Sequence, residues 1–238
     1  SFAAEQYEMI GEANVVNEKL AGKIDLFGWS GSTGIAKWGI SISTDYNDYS
    51  GDFVDWGENI GDGTTWRTLT TDEWNYLCNT RANATDLIGV ARINLDETGT
   101  SYVNGLILLP DTWTCPEGVT FKSGFSTEES IQAYADYQTF TLEQWEKLES
   151  AGAVFLPASG NRGAWLINNV HRSGIYLSSS TANNTAVCLG ILSNWVGKGY
   201  SDRFTGQAIR LVQDCYTVAT TCDETSGNII GGGIYPKG

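Results

Sequence analysis

The chain is 238 residues long, with 41% hydrophobic and 12% aromatic residues, a composition that indicates one large globular domain with an aromatic-rich core. Its net charge of −14, from 14 Lys and Arg against 28 Asp and Glu, argues against a nucleic-acid partner and against adhesion to anionic membranes. No apolar run reaches the roughly 18 residues of a transmembrane helix, so the sequence predicts no direct membrane insertion.

Residues 31–65 combine glycine-rich turns with aromatic residues and are predicted to form a long irregular segment. The first clear helix follows. Thr70 is a suitable N-cap and Glu73 stands three residues later, which is the pattern of a capping box. The helix is predicted to end near Thr80 and Arg81, with one apolar face formed by Trp74, Leu77 and Cys78.

Two strands are predicted next, at residues 90–93 and 103–109, because both runs are apolar. The dipeptide Asn104-Gly105 is a turn signal that joins or bends these strands. Residues 111–140 are predicted to be loop, with Trp113, Phe121 and Phe125 available as anchors.

The second helix has the clearest signal in the chain. Thr141 caps it, Gln144 completes a capping box, and Gly152 suits the position after its C-terminus. A strand at 154–156 follows, residues 209–212 form the last predicted core strand, and residues 215–238 are predicted to be a C-terminal tail. Two helices, short antiparallel strands and much irregular loop, without βαβ alternation, predict an α+β domain over residues 1–214.

Two scaffold-like ends, residues 151–160 and 203–212, flank a middle that follows little repeating pattern. Each end is an apolar, strand-like run beside a glycine turn. The middle mixes small, polar and aromatic residues. We therefore predict that the ends belong to the scaffold and that residues 161–206 form the working surface.

The residues expected of common catalytic sites are largely missing. His171 is the only histidine, and no serine-nucleophile motif or phosphate-binding loop accompanies it. No two of the five cysteines form a C-x-x-C pair, so the spacing of a zinc site is absent. The sequence predicts no enzyme and no cofactor; calcium is the less favoured alternative, at an oxygen-rich loop formed by Asp45, Asn47, Asp48 and Asp52.

The cysteines also bear on the compartment. An odd number leaves at least one thiol unpaired, and Cys78 is expected to be buried on its helix face. Cys215 and Cys222 bracket a short C-terminal loop, and in an oxidising compartment they can form a disulfide. Cys115 and Cys188 have no predicted partner.

Several sequence blocks occur together in a recognisable order. They are IDLFGW at 24–29, WRTLT at 66–70 with Glu73 and Trp74, GLILLPD at 105–111, GAVFLPA at 152–158 with Gly160 and Arg162, and Arg203 with GQAIRLV at 206–212. Together they resemble the C-type lectin-like fold of the formylglycine-generating enzyme superfamily, in the form of a paralogous surface-protein domain of gut Bacteroidetes and their phages. The resemblance covers roughly residues 2–214.

Members of this group serve as variable proteins of diversity-generating retroelements, which rewrite a C-terminal stretch of the domain at adenines. An AAC codon altered at its adenines never encodes Trp, Lys, Glu, Gln or Met. These five types make up 37 of the 238 residues, so the 46 residues of 161–206 would carry about seven in proportion. Only three occur there, Trp165, Trp195 and Lys198, which is the depletion that the resemblance implies.

The resemblance also marks departures from the family pattern. Leu177 stands where the family usually has Trp, Asn161 where it has Tyr, and Phe204-Thr205 where it has Tyr-Tyr. We therefore expect an extracellular protein, on a cell surface or phage virion, that binds a protein or glycan ligand. The expected contact residues are Asn161, Trp165, Asn169, His171, Ile175, Leu177, Asn183, Gly190, Leu192, Trp195, Phe204 and Thr205.

Two alternatives stay open at the level of sequence. The first is a structural surface or virion component without a diversified ligand. The second is an enzyme of the formylglycine-generating superfamily, whose members bind copper through a cysteine pair in the C-terminal part of the domain. Only Cys188 falls in the matching stretch, so the enzyme is the less favoured of the two.

Overall fold

The computed structural model describes residues 26–34, 45–60, 66–163 and 167–213, together with the backbone of two strands, Cys215–Val218 and Gly233–Pro236. This part of the chain is a mixed α+β structure with three α-helices and several small sheets, so the predicted class is confirmed. The helices are α1 (Thr71–Asn75), α2 (Ile131–Tyr137) and α3 (Leu142–Ser150). The first strands in chain order are β1 (Trp66–Thr68), β2 (Ile88–Asn94), β3 (Tyr102–Leu108), β4 (Thr139–Phe140) and β5 (Val154–Pro157). The remaining strands are β6 (Asn161–Arg162), β7 (Ile167–Asn168), β8 (Gly174–Ala182), β9 (Thr185–Leu192), β10 (Trp195–Asp202), β11 (Leu211–Gln213), β12 (Cys215–Val218) and β13 (Gly233–Pro236).

A four-stranded sheet in the order β4-β2-β3-β5 contains the strands predicted from the apolar runs. The prediction that Asn104-Gly105 forms a turn is wrong, because both residues lie inside β3 and pair with β2. Gly105 is needed for a different reason. A Cβ atom at this position would stand 2.3 Å from the Leu156 carbonyl oxygen, so only glycine permits the close approach of β5.

Helices α1 and α3 both begin with the predicted capping box. The hydroxyl of each N-cap threonine, Thr70 or Thr141, accepts a hydrogen bond from the N3 amide, and the N3 side chain accepts one from the N-cap amide. After α1 the chain continues as a π-helical segment, Tyr76–Thr80, which confirms the predicted end near Arg81. Gly152 has φ +90°, as expected for the residue that follows α3.

Helix α2 lies in the region 111–140 that was predicted to be loop, so the count of two helices is wrong. Ser130 caps it by accepting a hydrogen bond from the Ala133 amide, and Ala133 and Tyr134 are its buried residues. A seven-residue helix offers less than two turns of periodic pattern, which explains why the sequence does not reveal it.

The largest correction concerns residues 161–206. The sequence shows little pattern there, yet the region contains a regular antiparallel sheet in the order β10-β9-β8. Residues 185–192 of the central strand carry a burial pattern with four consecutive buried positions, so no alternation of polar and apolar residues marks it as a strand.

Both sheets contribute to one core. Residues of β2, β3 and β5 share a buried cluster with β8, β9 and α1, which includes Val90, Leu106, Tyr176, Leu189 and Trp74. A second cluster on the other face of the four-stranded sheet contains Ile107, Leu148 and Phe140. Helix α3 therefore covers one face of this sheet, and the β8–β10 sheet covers the other.

Three consecutive residues, Gly206, Gln207 and Ala208, hold these parts together. Each forms backbone hydrogen bonds with a different segment: Gly206 with Arg162, Gln207 with Phe27, and Ala208 with β8. The predicted core strand 209–212 begins only at Leu211; β11 is half-buried and pairs with β1. Within the predicted tail, β12 and β13 pair with each other, and the boundary at residue 214 stays a prediction.

We predict a pH effect at the start of α1. The Arg67 guanidinium donates two hydrogen bonds, of 2.6 and 2.8 Å, to the Glu73 carboxylate and lowers its pKa to about 2 against a smaller opposing effect of burial. A carboxylate with a depressed folded-state pKa stabilises the fold above its unfolded-state pKa, and that contribution is lost as the pH falls towards about 2. The side chain is 37% exposed, so we discount the effect for solvent screening.

Glu73→Gln keeps the capping box and removes the charge. Between about pH 5 and pH 2, the wild type should lose about 1 kcal/mol more unfolding free energy than this variant, measured by urea denaturation. Glu143→Gln is the matched control, because Glu143 is in the first turn of α3 and is 77% exposed. A Glu73→Gln profile parallel to that of the wild type would contradict the prediction.

Candidate functional site

The predicted contact residues lie in separate places. Ile175, Gly190, Leu192 and Trp195 lie on one face of the β8–β10 sheet near the β9–β10 turn. Asn183 lies at the opposite end, in the turn between β8 and β9, roughly 25 Å away for a strand that rises about 3.3 Å per residue. Asn161, Asn169 and His171 lie on and after the β6–β7 hairpin, Phe204 and Thr205 follow β10, and Trp165 lies outside the described residues.

The Trp195 indole rests on two glycines of neighbouring strands. Ile175, Gly190 and Gly197 are cross-strand partners, so they form one row across β8, β9 and β10 on a single face. A Cβ atom at Gly190 would stand 2.7 Å from Cζ3 of the Trp195 ring, and one at Gly197 would stand 2.8 Å from Cζ2. The indole therefore covers both glycines, while the residue stays 43% exposed.

The turn beside Trp195 is anchored to the rest of the domain. Leu192 and Trp195 form the last pair before the two-residue turn of the β9–β10 hairpin. The Ser193 hydroxyl donates a 2.7 Å hydrogen bond to the Glu128 carbonyl and accepts one from the Ser130 amide. The Trp195 side chain is thus presented from a fixed backbone.

Leu177 does not belong to the surface, and its assignment as a contact residue is wrong. It lies on the same face as Ile175, two residues further along β8, but is only 2% exposed. It packs in a buried cluster with Trp29 and Ala186, against which Phe53 also packs. The segments around Trp29 and Phe53, which precede α1, bury this part of the sheet. The sequence pattern of β8 does not reveal this contact.

The backbone conformation explains why three of the predicted contact residues are Asn or His. Asn169, His171 and Asn183 have φ values of 60°, 63° and 54°, in the left-handed region. Asn and His adopt this region several times more often than most residues with a side chain. Their presence in the turns is therefore explained without a ligand.

His171 is also held by its surroundings. Its amide donates a 2.7 Å hydrogen bond to the Ala158 carbonyl, and its carbonyl accepts one of 2.9 Å from Asn104. The imidazole lies 5.1 Å from the Tyr102 ring, over which the Arg92 guanidinium stacks at 3.9 Å. Partial burial, with a smaller contribution from the Arg92 charge, lowers the pKa of His171.

Arg203 organises the far end of the sheet, a role that was not predicted. It is 6% exposed, and its guanidinium stacks 4.2 Å above the Trp29 ring and 5.1 Å from Tyr46. It donates hydrogen bonds of 3.1 Å to the carbonyls of Tyr49 and Asn183. The signal in the sequence is its place in one of the blocks on which the expected resemblance rests, and this signal does not reveal that Arg203 is buried.

The loop predicted to bind calcium is held by its own hydrogen bonds. The Asp45 carboxylate accepts hydrogen bonds from the backbone and side-chain amides of Asn47. Asp45 thereby caps the 3-10 helix Tyr46–Tyr49. In the described part of the chain, no three His, Cys, Asp or Glu side chains converge as a metal site. The calcium site stays a prediction.

Of the cysteines whose side chains are described, Cys78, Cys115 and Cys188 are free thiols. Cys78 is buried, as predicted, and so is Cys188. Burial raises the pKa of both thiols to about 11, which keeps them protonated at neutral pH. The predicted pair of Cys215 and Cys222 lies outside the described side chains.

No helix among the described residues has the length and apolar character needed to cross a membrane. Comparisons with protein-family models, with curated proteins and with solved structures found no match. The lectin-like resemblance therefore stays a prediction.

The correction at Leu177 leads to a prediction about stability. Leu177→Ala should lower the unfolding free energy by about 2–4 kcal/mol, because it leaves a cavity in a closed cluster. Ile175→Ala, on the same strand and face but half-buried, should cost less than half as much. Urea denaturation of both variants measures the difference, and equal losses would contradict the assignment of Leu177 to the core.

Proposed function

We propose that this protein is a non-catalytic binding module, which presents residues of 161–206 on a C-type lectin-like scaffold to a protein or glycan on a cell surface. The observation that carries the proposal is Trp195, an exposed tryptophan on a glycine row. The few helices, the small sheets and the capping box of α1 at the WRTLT block support the scaffold. Display outside the cell, on a cell surface or virion, is part of the same proposal.

Trp195 has the properties of a binding anchor. An indole carries a large apolar area, and tryptophan is among the residues enriched at energetic hot spots of interfaces. Because one face of the ring covers Gly190 and Gly197, part of its conformational freedom is already lost before a ligand binds. A ligand therefore meets a pre-oriented aromatic surface.

The surroundings of Trp195 supply neighbours that can differ between variants. Ile175 and Leu192 are half-buried on the same face. Asn161 and Thr205 form a separate group beyond β8, next to each other because Arg162 and Gly206 exchange backbone hydrogen bonds of 2.9 and 2.8 Å, whereas Trp195 lies on β10 at the other edge of the sheet. Trp195 itself cannot result from adenine changes in an AAC codon. We infer a constant aromatic anchor beside positions whose residues are exchanged.

We predict that Trp195→Ala weakens binding at least tenfold, corresponding to about 1.4 kcal/mol or more, without a large change in thermal stability. The probes are a glycan array and a panel of intact Bacteroidetes cells, scored with fluorescently labelled protein. Tyr76→Ala is the matched control, since Tyr76 is 51% exposed and lies on the π-helical segment after α1.

Gly190→Ala is a second test of the same anchor. The added methyl group should displace the indole while leaving its chemistry intact, so binding should weaken although the tryptophan is retained. Wild-type binding by both variants would contradict the role of Trp195. If the wild type binds no probe, the result favours a structural surface or virion component.

Diversification makes a separate prediction about sibling sequences. Sequencing this gene across one microbial population should show substitutions concentrated in residues 161–206 and encoded at AAC-derived codons, with Trp195 constant. A nearby reverse transcriptase gene and a near-duplicate template repeat should accompany it. Substitutions spread evenly over the described surface would contradict diversification without affecting the binding proposal.

A further inference from the structure

A groove runs along the outer edge of β5, away from the Trp195 surface. Two cavities of about 280 and 260 Å³ form it, and Leu156 and Arg210 line both. One wall is β5, and the opposite wall is the segment from Ala208 to Val212. The groove therefore separates the four-stranded sheet from the β1–β11 pair.

The β5 wall presents unpaired backbone groups. The Ala158 amide donates a 2.6 Å hydrogen bond to the Asn104 carbonyl, which fixes Ala158, Leu156 and Val154 as the residues bonded to β3. Of the two intervening residues, Phe155 consequently directs its N–H and C=O towards the groove. Within the described residues these two groups have no hydrogen-bond partner. Pro157 has no N–H, and its carbonyl accepts hydrogen bonds of 3.0 Å from the Tyr176 hydroxyl and 2.8 Å from the Ser159 amide.

The opposite wall of the groove, formed by residues 208–212, also has backbone groups without a hydrogen-bond partner among the described residues. The Thr68 amide donates a 2.7 Å hydrogen bond to the Asp55 carboxylate, so Thr68 and its β11 partner Leu211 form a pair without mutual hydrogen bonds. Leu211 therefore directs its N–H and C=O away from β1, on the side of the groove. In the described chain, Leu211 has no partner for them. Phe155 lines the cavity of 260 Å³ and Leu211 lines the cavity of 280 Å³, and the two cavities share Leu156 and Arg210. Each wall of the groove therefore has one open strand position.

The lining of the groove is apolar and positively charged. Leu69, Leu108 and Val154 are among its apolar residues, and its only charged lining residues are Arg81 and Arg210. Arg81 is engaged by Asp111 at 3.1 Å, whereas Arg210 is exposed and has no ion pair with any described residue. In a chain of net charge −14, a groove without acidic residues favours an occupant that carries a carboxylate.

We propose that this groove binds an extended strand of a partner chain, with apolar side chains at alternate positions and a carboxylate that faces Arg210. The strand hydrogen-bonds to Phe155 on one side and Leu211 on the other, and joins the two sheets by β-strand addition. Pairing along the β5 wall ends at Pro157, so the occupant is a short strand whose backbone pairs with β5 at Phe155. This surface is independent of the Trp195 anchor.

The test uses the full chain and a fluorescently labelled six-residue peptide of alternating valine and threonine, with one threonine replaced by glutamate. Wild-type protein should bind this peptide with a Kd of about 100 μM or tighter in fluorescence polarisation. Arg210→Glu should weaken binding at least tenfold, and a peptide with lysine in place of glutamate should restore binding to this variant. Arg210 is exposed, so the variant is expected to fold, and its thermal melting curve checks this.

Backbone pairing is tested separately from charge. A peptide of the same sequence with N-methylated valines lacks the amide donors of a strand and should bind at least tenfold more weakly. Failure of the glutamate peptide to bind, or equal binding of the N-methylated peptide, would overturn the proposal. So would concentration-dependent dimerisation that Arg210→Glu abolishes, because the occupant would then be a second copy of this chain.

Discussion

The fold depends on three successive backbone pairings at Gly206, Gln207 and Ala208. Hydrogen bonds of 2.7–2.9 Å tie this tripeptide to Arg162, to Phe27 and to β8. No single sheet contains these partners, so the tripeptide connects the entry of the described chain, the β6–β7 hairpin and the second sheet. Because a buried amide or carbonyl without a partner costs about 1–3 kcal/mol, displacing this segment would disturb all three connections together.

Features that depend on residues close in sequence could be predicted, and features that depend on contacts between distant segments could not. The capping boxes at Thr70 and Thr141 involve residues three positions apart, so the sequence contains both partners. The β8–β10 sheet is different, because its burial is set by α1 on one side and by Trp29 and Phe53 on the other. The sequence of the strands does not show that either of these groups packs against them. Leu177 was assigned to the surface for the same reason.

The candidate site was predicted less well than the fold. Trp195 has the expected exposure, but Asn169, His171 and Asn183 occupy turns that require left-handed backbone. A family resemblance identifies positions that differ, and it does not distinguish a residue chosen for its side chain from one chosen for its φ angle. Arg203 is the opposite case. Its place in a sequence block marks it without giving its role, and in the structure its buried guanidinium stacks on the Trp29 ring.

The two-residue period of β8 and β9 sets a limit on how such a surface can change. Successive side chains of a strand point to opposite faces, and here the inward face includes Tyr176 and Leu189 of the main core cluster. A mutator that acted on neighbouring codons within these strands would alter the core as often as the surface. Only codons at alternate positions can vary freely, and those beneath Trp29, such as that of Leu177, are excluded as well. The repertoire of such a scaffold is therefore restricted by the geometry of its strands before any ligand selects among the variants.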